Sequence, residues 1–366
     1  MSSPDASGPV KRVTIRDIAK VAGVHFTTVG LALRGSAQLP EGTRQRIRDI
    51  AERLGYRPDP MLAALNVYRR ANQPRRYQAT LAWINNWPDR EALHRNECFQ
   101  EYFAGAQRRA EKMGYVLEEF WLAEPGMTPE RLVGILKARN IEGLLLAPQP
   151  APNMFPALSY ENFAVLSFGY SLQPSVFHVV TNHHFHSINL TLSNLFQRGY
   201  KRVGFFGEQA WDDKVEHSWV GGMAMARALN PGMMEVPPLL KREPSDRELR
   251  QWLKVNRPDV VISYTGASEW FHQLGYKIPE DLGFASLSLA QEISSISGIY
   301  QNNVRIGEAA VDFIISMLHS GERGIPRTPT RILVESEWIE GTTLRDQRTR
   351  PAAGKRRKSN ELSAKV

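Results

Sequence analysis

Phe26, Thr27, Gly30 and Leu31 share the outward side of a short helical repeat whose other side, Val29, Ala32 and Leu33, is apolar. An outward face of that kind suits recognition rather than catalysis, because in a helix-turn-helix unit it is what the major groove of DNA would meet. The chain offers little else that could react. It has no phosphate-cradling Gly loop with its Lys, no nucleophile elbow and no Cys–His pair. An enzyme fused to a DNA-binding head is therefore a remote alternative, and no cofactor is expected. The single cysteine, Cys98, excludes an intrachain disulfide and any Cys-based metal cluster, and it suits a reducing cytoplasm. Three histidines, His183, His184 and His186, raise the question of a metal, but two of them are adjacent and no Cys or Glu nearby completes a set. No metal site is expected.

The elements that must hold the recognition face follow from spacing. Thr14, with Asp17 three residues on, is a relative of the capping box that opens a helix. Ile15, Ile18, Ala19 and Ala22 then recur at helical spacing, and Gly23 stands where the chain must turn. After the second helix, Phe26 to Leu33, Pro40 leads into a third, Thr43 to Leu54, with Ile47, Ile50, Ala51 and Leu54 as its apolar stripe. Three small helices sharing one core are not confined to DNA binding.

Charge sharpens the choice. The 366 residues carry a formal net charge of +8, placed unevenly: residues 1–76 hold 14 Lys and Arg against 6 Asp and Glu, residues 345–366 hold 8 against 2, and the middle holds 24 against 30. A basic head attached to an acidic body suits counterion-release binding to phosphate. The first residues have no apolar core of a secretory signal, and no run approaches the roughly twenty apolar residues of a membrane span. A cytoplasmic protein without a membrane partner is expected, which also argues against a sugar-binding protein of a transport system.

From Tyr77 short apolar runs suited to parallel strands (79–85, 115–122, 141–147, 164–168, 202–206, 260–264 and 282–287) alternate with helical segments such as 99–113, 129–139, 186–198 and 305–318. This alternation predicts a doubly wound α/β body with ligands at the carboxyl ends of its strands.

The run Val13-Thr-Ile-Arg-Asp-Ile-Ala, through Val24-His-Phe-Thr-Thr-Val-Gly, to Leu54-Gly-Tyr-Arg-Pro58 resembles the head of the lactose/galactose/purine repressor (LacI) family, with both halves in order and at family spacing. The resemblance continues through Asn194–Gly207, Ile278–Leu282 and Arg305–Val311 and covers about residues 13 to 344. It implies a small all-α helix-turn-helix head and an α/β body of two Rossmann-like lobes, like a periplasmic sugar-binding protein. The expected division is a disordered N-terminus (1–12), the head (13–58), a hinge helix and linker (59–76), a two-lobed effector-binding and dimerisation domain (77–344) and a basic disordered tail (345–366).

The resemblance also implies roles. Phe26, Thr27 and Leu31 occupy base-reading positions; Phe and Leu offer only apolar contact, for instance to thymine methyls, and Thr27 supplies one flexible donor and acceptor. Thr14, Thr28, Arg34 and Thr43 match positions that grip phosphate. His25 and Gly30 stand where the family usually has serine, which removes a cap and a phosphate contact. In the hinge, Pro60 fits a first helical turn followed by good helix formers, too short a stretch to be stable alone. Leu65 matches the leucine that two paired hinge helices wedge into a minor-groove step. The implied partners are a palindromic double-stranded DNA operator, a second copy of the chain and a small-molecule effector, by family analogy a sugar.

The effector pocket is where the chain departs most. Family aspartates, asparagines and an arginine read here as Gly169, Thr181, Trp219, Tyr264-Thr265, Ser286 and Ser288, so charge-assisted grips on a polar ligand are largely missing. Aromatics and amides remain, and Asn85, Trp87, Trp211, Trp219, Tyr264 and Gln301 are the candidate effector contacts. A regulator whose body binds a protein partner, or nothing, stays as the alternative.

Overall fold

The computed structural model describes residues 13–33, 36, 39–56, 79–151, 154–264, 266–290 and 295–349. Arg34, Leu65, the segments 1–12 and 59–76 and the tail beyond 349 lie outside them.

In the head, α1 (Ile15–Ala22), α2 (Phe26–Leu33) and α3 (Glu41–Arg53) enclose a core of Ile18, Ala19, Val29, Ala32, Ile47, Ile50 and Ala51. Thr14 and Asp17 form a full capping box: each side chain meets the other residue's backbone N–H. Gly23 closes α1 at φ 66°, a left-handed geometry that a side chain would strain. Two expectations need correction. The third helix begins at Glu41 rather than Thr43, because Pro40 serves as its N-cap residue and Glu41 adds a carboxylate to the first turn, where the helix dipole favours it. Gly30 is buried rather than outward, since bare backbone leaves no side chain to hold the neighbouring helices off.

The body contains two six-stranded sheets. The first runs β11-β5-β4-β3-β1-β2, all parallel, from β1 (Ala79–Asn85), β2 (Tyr115–Trp121), β3 (Gly143–Leu146), β4 (Ala164–Phe168), β5 (His178–Asn182) and β11 (Arg331–Val334). The second runs β12-β10-β9-β8-β6-β7, from β6 (Val203–Glu208), β7 (Leu239–Lys241), β8 (Val260–Ser263), β9 (Gly283–Leu289), β10 (Gly298–Tyr300) and β12 (Glu337–Ile339), with β12 antiparallel to β10. Central strands such as β3, β4 and β8 are buried along their whole length, as helices on both faces require.

Sequence order and spatial order part company at the end of the chain. Helix α5 (Glu97–Lys112) packs in the first lobe against α12 (Asn303–Ser320), which follows the second lobe's β10. The chain then adds β11 to the first sheet and β12 to the second. Among the described residues it therefore passes between lobes three times, at 182–184, 300–303 and 334–337.

The fold also extends past the expected boundary at 344. Leu344 is buried, the Arg345 N–H donates to the Tyr200 hydroxyl at 3.1 Å, and the Gln347 N–H donates to the Arg198 carbonyl at 2.8 Å. Residues 345–349 thus belong to the second lobe, because their backbone is fastened to the end of α7 (His184–Gln197) and the turn after it.

Candidate DNA-reading helix and effector cleft

On α2, Phe26 is 45% exposed, a large apolar ring left in solvent at the start of a helix. The His25 ring packs beside it at 4.2 Å between centroids, and the Arg16 guanidinium lies 5.9 Å from its centre. Thr27 is exposed and Leu31 half-buried on the same helix. The Thr27 hydroxyl lies 2.9 Å from His25 Nδ1, so His25 restores a side-chain contact at the helix start and holds the hydroxyl in one orientation. Of the residues expected at phosphate, Thr14 is exposed with its hydroxyl donating to Asp17 at 2.7 Å, while Thr28 and Thr43 are half-buried near the starts of α2 and α3.

Between the lobes lies a cleft of about 370 Å³. Its walls are the carboxyl ends of strands: Pro148 and Gln149 after β3, Gly169 to Ser171 after β4, Gly207 and Glu208 closing β6, Ser263 and Tyr264 at β8, Leu287 and Ser288 at β9. Side chains end up there because each of these strands runs parallel and points the same way. Aromatic surface dominates, with Tyr102 and Phe168 stacked at 5.6 Å in one wall and Phe205, Trp211 and Trp219 in the other.

Three buried polar atoms on cleft-lining residues have no hydrogen-bond partner among the described residues: His184 Nδ1, Trp219 Nε1 and Ser263 Oγ. His184 Nε2 is held 3.2 Å from the Thr181 hydroxyl, and the ring stands edge-on to Trp219 at 5.7 Å. Burial, reinforced by the neighbouring His183, pushes the His184 imidazole down to about 3, so it is neutral near pH 7. The arrangement offers one donor and two groups able to donate or accept.

The charged groups of the cleft are mostly committed elsewhere. Lys214 reaches from the second lobe to the first, donating to the carbonyls of Gln149 at 3.4 Å and Pro150 at 3.2 Å above the Trp211 ring, and burial lowers its pKa. Asp212, buried, lies 2.9 Å from His217 Nδ1, which it keeps above the ordinary histidine pKa. The Glu208 side chain makes no hydrogen bond or ion pair with another described residue, and the same holds for the Glu97 carboxylate, which also lines the cleft.

Residues 14–59 match the bacterial regulatory proteins of the lacI family, and residues 192–344 match a periplasmic binding protein-like domain. The chain belongs to the LacI family. It is 23% identical over 331 residues, 85% of this chain and 91% of the relative, to the HTH-type transcriptional repressor CytR of Escherichia coli (strain K12). Among solved structures it resembles a complex of the transcriptional regulator CelR with cellobiose, at TM-score 0.55 and 18% identity, covering 91% of this chain and 100% of that one. It also resembles the lac repressor dimer bound to operator and the anti-inducer ONPF, at TM-score 0.53 and 17% identity, covering 91% and 99%. At those identities the likeness is one of fold. The chain is a DNA-binding transcriptional regulator rather than an enzyme, and none of its described helices is long and apolar enough to cross a membrane.

Within this LacI-family body the six expected effector contacts divide. Trp211, Trp219, Tyr264 and Gln301 line the cleft. Asn85 and Trp87 do not. Asn85 is fully buried, donating to the Arg90 carbonyl at 3.1 Å and to Glu119 at 2.8 Å while accepting from the Trp87 N–H at 2.9 Å; Trp87 Nε1 donates to the Pro148 carbonyl at 2.7 Å. Both hold the loop after β1 in place. Gln301 is partly structural too, since its amide donates to the Leu287 carbonyl at 2.7 Å.

Sequence reasoning missed His184, Glu208 and Ser263. A signal existed for the first: His184, Ser187, Ile188, Thr191, Leu192 and Leu195 are the buried face of α7 and recur at helical spacing, which turns His184 inward and its two neighbours away from it. His183 and His186 accordingly stand outside the cleft, at the rim of a crossing.

Proposed function

We propose that this regulator is a dimeric repressor of a palindromic operator, switched by a neutral polyhydroxylated ligand, a mono- or oligosaccharide, in the interlobe cleft. The observation that carries the ligand reading is the set of three unpartnered buried atoms, His184 Nδ1, Trp219 Nε1 and Ser263 Oγ, among aromatic walls. A buried polar group without a partner costs roughly 1–3 kcal/mol, so a ligand hydroxyl that satisfies it gains what the protein alone forgoes. Aromatic faces suit the apolar faces of sugar rings, and Glu208 adds one charge-assisted acceptor. A neutral ligand is favoured because Lys214 and Asp212 already have partners.

On the DNA side, one helix-turn-helix reads one half-site, so a dimer and a two-fold symmetric operator belong together. Phe26 and Leu31 contribute apolar contact to base edges and Thr27 an oriented hydroxyl; Thr14, Thr28, Arg34 and Thr43 set the register on phosphate, and Leu65 acts as the lever in the minor groove. That structures of similar fold include a lac repressor dimer bound to operator and a CelR–cellobiose complex supports this reading.

Selection of genomic fragments by the purified protein, followed by retesting of the selected site with a panel of mono- and oligosaccharides, tests the reading. A palindrome whose affinity shifts with one sugar supports it. A palindrome indifferent to every sugar favours a body that binds a protein or nothing, and failure to select any site rejects the operator reading.

A further inference from the structure

We propose that His183, His186 and Glu335 form a binding site for one divalent transition-metal ion of the zinc class, set at the crossings between the lobes. Sequence distance hides this group: 149 residues separate Glu335 from His186, and the fold removes that distance by laying β11 beside β5. One donor atom from each of the three residues lies within 4.8 Å of the others. His183 Nδ1 is 2.9 Å and His186 Nε2 3.4 Å from the two different oxygens of the Glu335 carboxylate. The two rings lie nearly parallel, 27° apart with centroids at 5.6 Å, and each brings one nitrogen to the same carboxylate.

The donor chemistry selects the ion. Two imidazoles and one carboxylate suit zinc or its first-row neighbours and leave open positions for water, whereas magnesium and calcium prefer oxygen donors. Donors at about 2.1 Å from a common ion stand at most about 4.2 Å apart, so small side-chain rotations suffice, and all three residues are exposed enough to make them. Only a weak penalty opposes the ion, from the start of α7 on which His183 and His186 sit, and the Glu335 charge offsets it.

The backbone beneath the group is fixed in advance. The His183 N–H donates to the Val334 carbonyl at 2.9 Å, and the Asn302 side chain donates to the Glu335 carbonyl at 2.9 Å. All three crossings are thereby present at the site, and an ion bound there ties the first to the third. A bound metal would resist relative movement of the lobes at the point where the connections between them are shortest.

Equilibrium binding of zinc chloride by tag-free, chelator-treated full-length protein, followed by calorimetry, reads the site directly. The expected result is one saturable zinc equivalent, weakened at least tenfold by His186→Ala and by Glu335→Gln, with no comparable binding of magnesium. Both side chains are exposed, so these variants keep the fold, and matched melting curves confirm it. Absence of saturable zinc binding, or binding undiminished in both variants, would overturn the proposal.

Discussion

The Asn182 side-chain amide donates to the Ser336 hydroxyl at 2.6 Å, fastening the first crossing between the lobes to the third. The same nitrogen reaches the Val334 carbonyl at 3.1 Å and the Gln301 carbonyl at 3.4 Å, and Asn182 Oδ1 accepts from Ser187 at 2.7 Å. One fully buried amide thus touches every crossing. Any change in how the lobes sit must be accommodated around it.

Asn182→Ala should therefore cost more than an ordinary buried truncation. It removes the four hydrogen bonds of the Asn182 side chain and leaves in place only the Ser187–Ser336 hydroxyl contact at 2.7 Å and the His183 N–H on the Val334 carbonyl at 2.9 Å, a loss of roughly 2–3 kcal/mol. Urea unfolding of the body checks the size. A cost under about half a kcal/mol would mean the network is replaceable by water.

Gly105 on α5 and Gly307 on α12 allow those helices to touch backbone to backbone. A Cβ added at Gly105 would sit 2.1 Å from the Val304 carbonyl oxygen, and one at Gly307 2.1 Å from that of Tyr102. Backbone cannot swing aside as a side chain can, so Gly307→Ala should push the helices apart and destabilise the first lobe by about 1–3 kcal/mol. Thermal melting of the single variants gives the measurement; a neutral Gly307→Ala would show that the helix pair slides freely.

His184 predicts a pH dependence. Its native pKa is lowered to about 3 while the unfolded chain titrates near 6.5, so between those values the unfolded state binds more protons than the native one. Stability contributed by the neutral ring is complete above pH 6.5 and is lost as the pH falls through that window, by about 2 kcal/mol at pH 5. His184→Gln should show a shallower fall between pH 7 and 5. Parallel curves for the two proteins would place the ring in water.

Ser263→Ala separates a ligand site from a merely imperfect core. Removing a hydroxyl that has no partner should leave stability unchanged or slightly raised in the free protein. The same change should raise the sugar concentration needed to shift operator binding by several fold, since a net hydrogen bond is worth about 1 kcal/mol. A stability loss would reveal a protein partner for Ser263 that the cleft geometry does not provide.

Much of this was legible in the chain. The head core of Ile18, Val29, Ile47 and Ile50 follows helical periodicity, and buried strands such as β1 and β4 follow from runs of apolar residues. Strands β5, β7, β10, β11 and β12 did not stand out, because they are three to five residues long, and β11 and β12 moreover pair with strands far back in the sequence, β5 and β10. Asn85 and Trp87 misled for a related reason: a strand end looks alike whether its side chains face the cleft or brace a loop, and only the Glu119 carboxylate on β2 decides it. Glu335 was illegible in principle, since its meeting with His183 is made by β11 returning to the first sheet.

Phe26 carries the last prediction, that sequence is read largely by apolar contact. An exposed ring flanked by His25 and Arg16 is costly to keep in water unless something covers it, and the groove is the surface its helix is shaped to meet. Phe26→Ala should lower affinity for the selected operator on the order of tenfold while leaving binding to unrelated DNA nearly unchanged. The slope of affinity against salt should stay constant, because no phosphate contact is lost. Arg34→Ala should instead weaken all sequences alike and flatten that slope by about one ion. Equal loss on specific and unrelated DNA in Phe26→Ala would assign the ring to holding the head together, and the reading of bases would pass to Thr27 and Leu31.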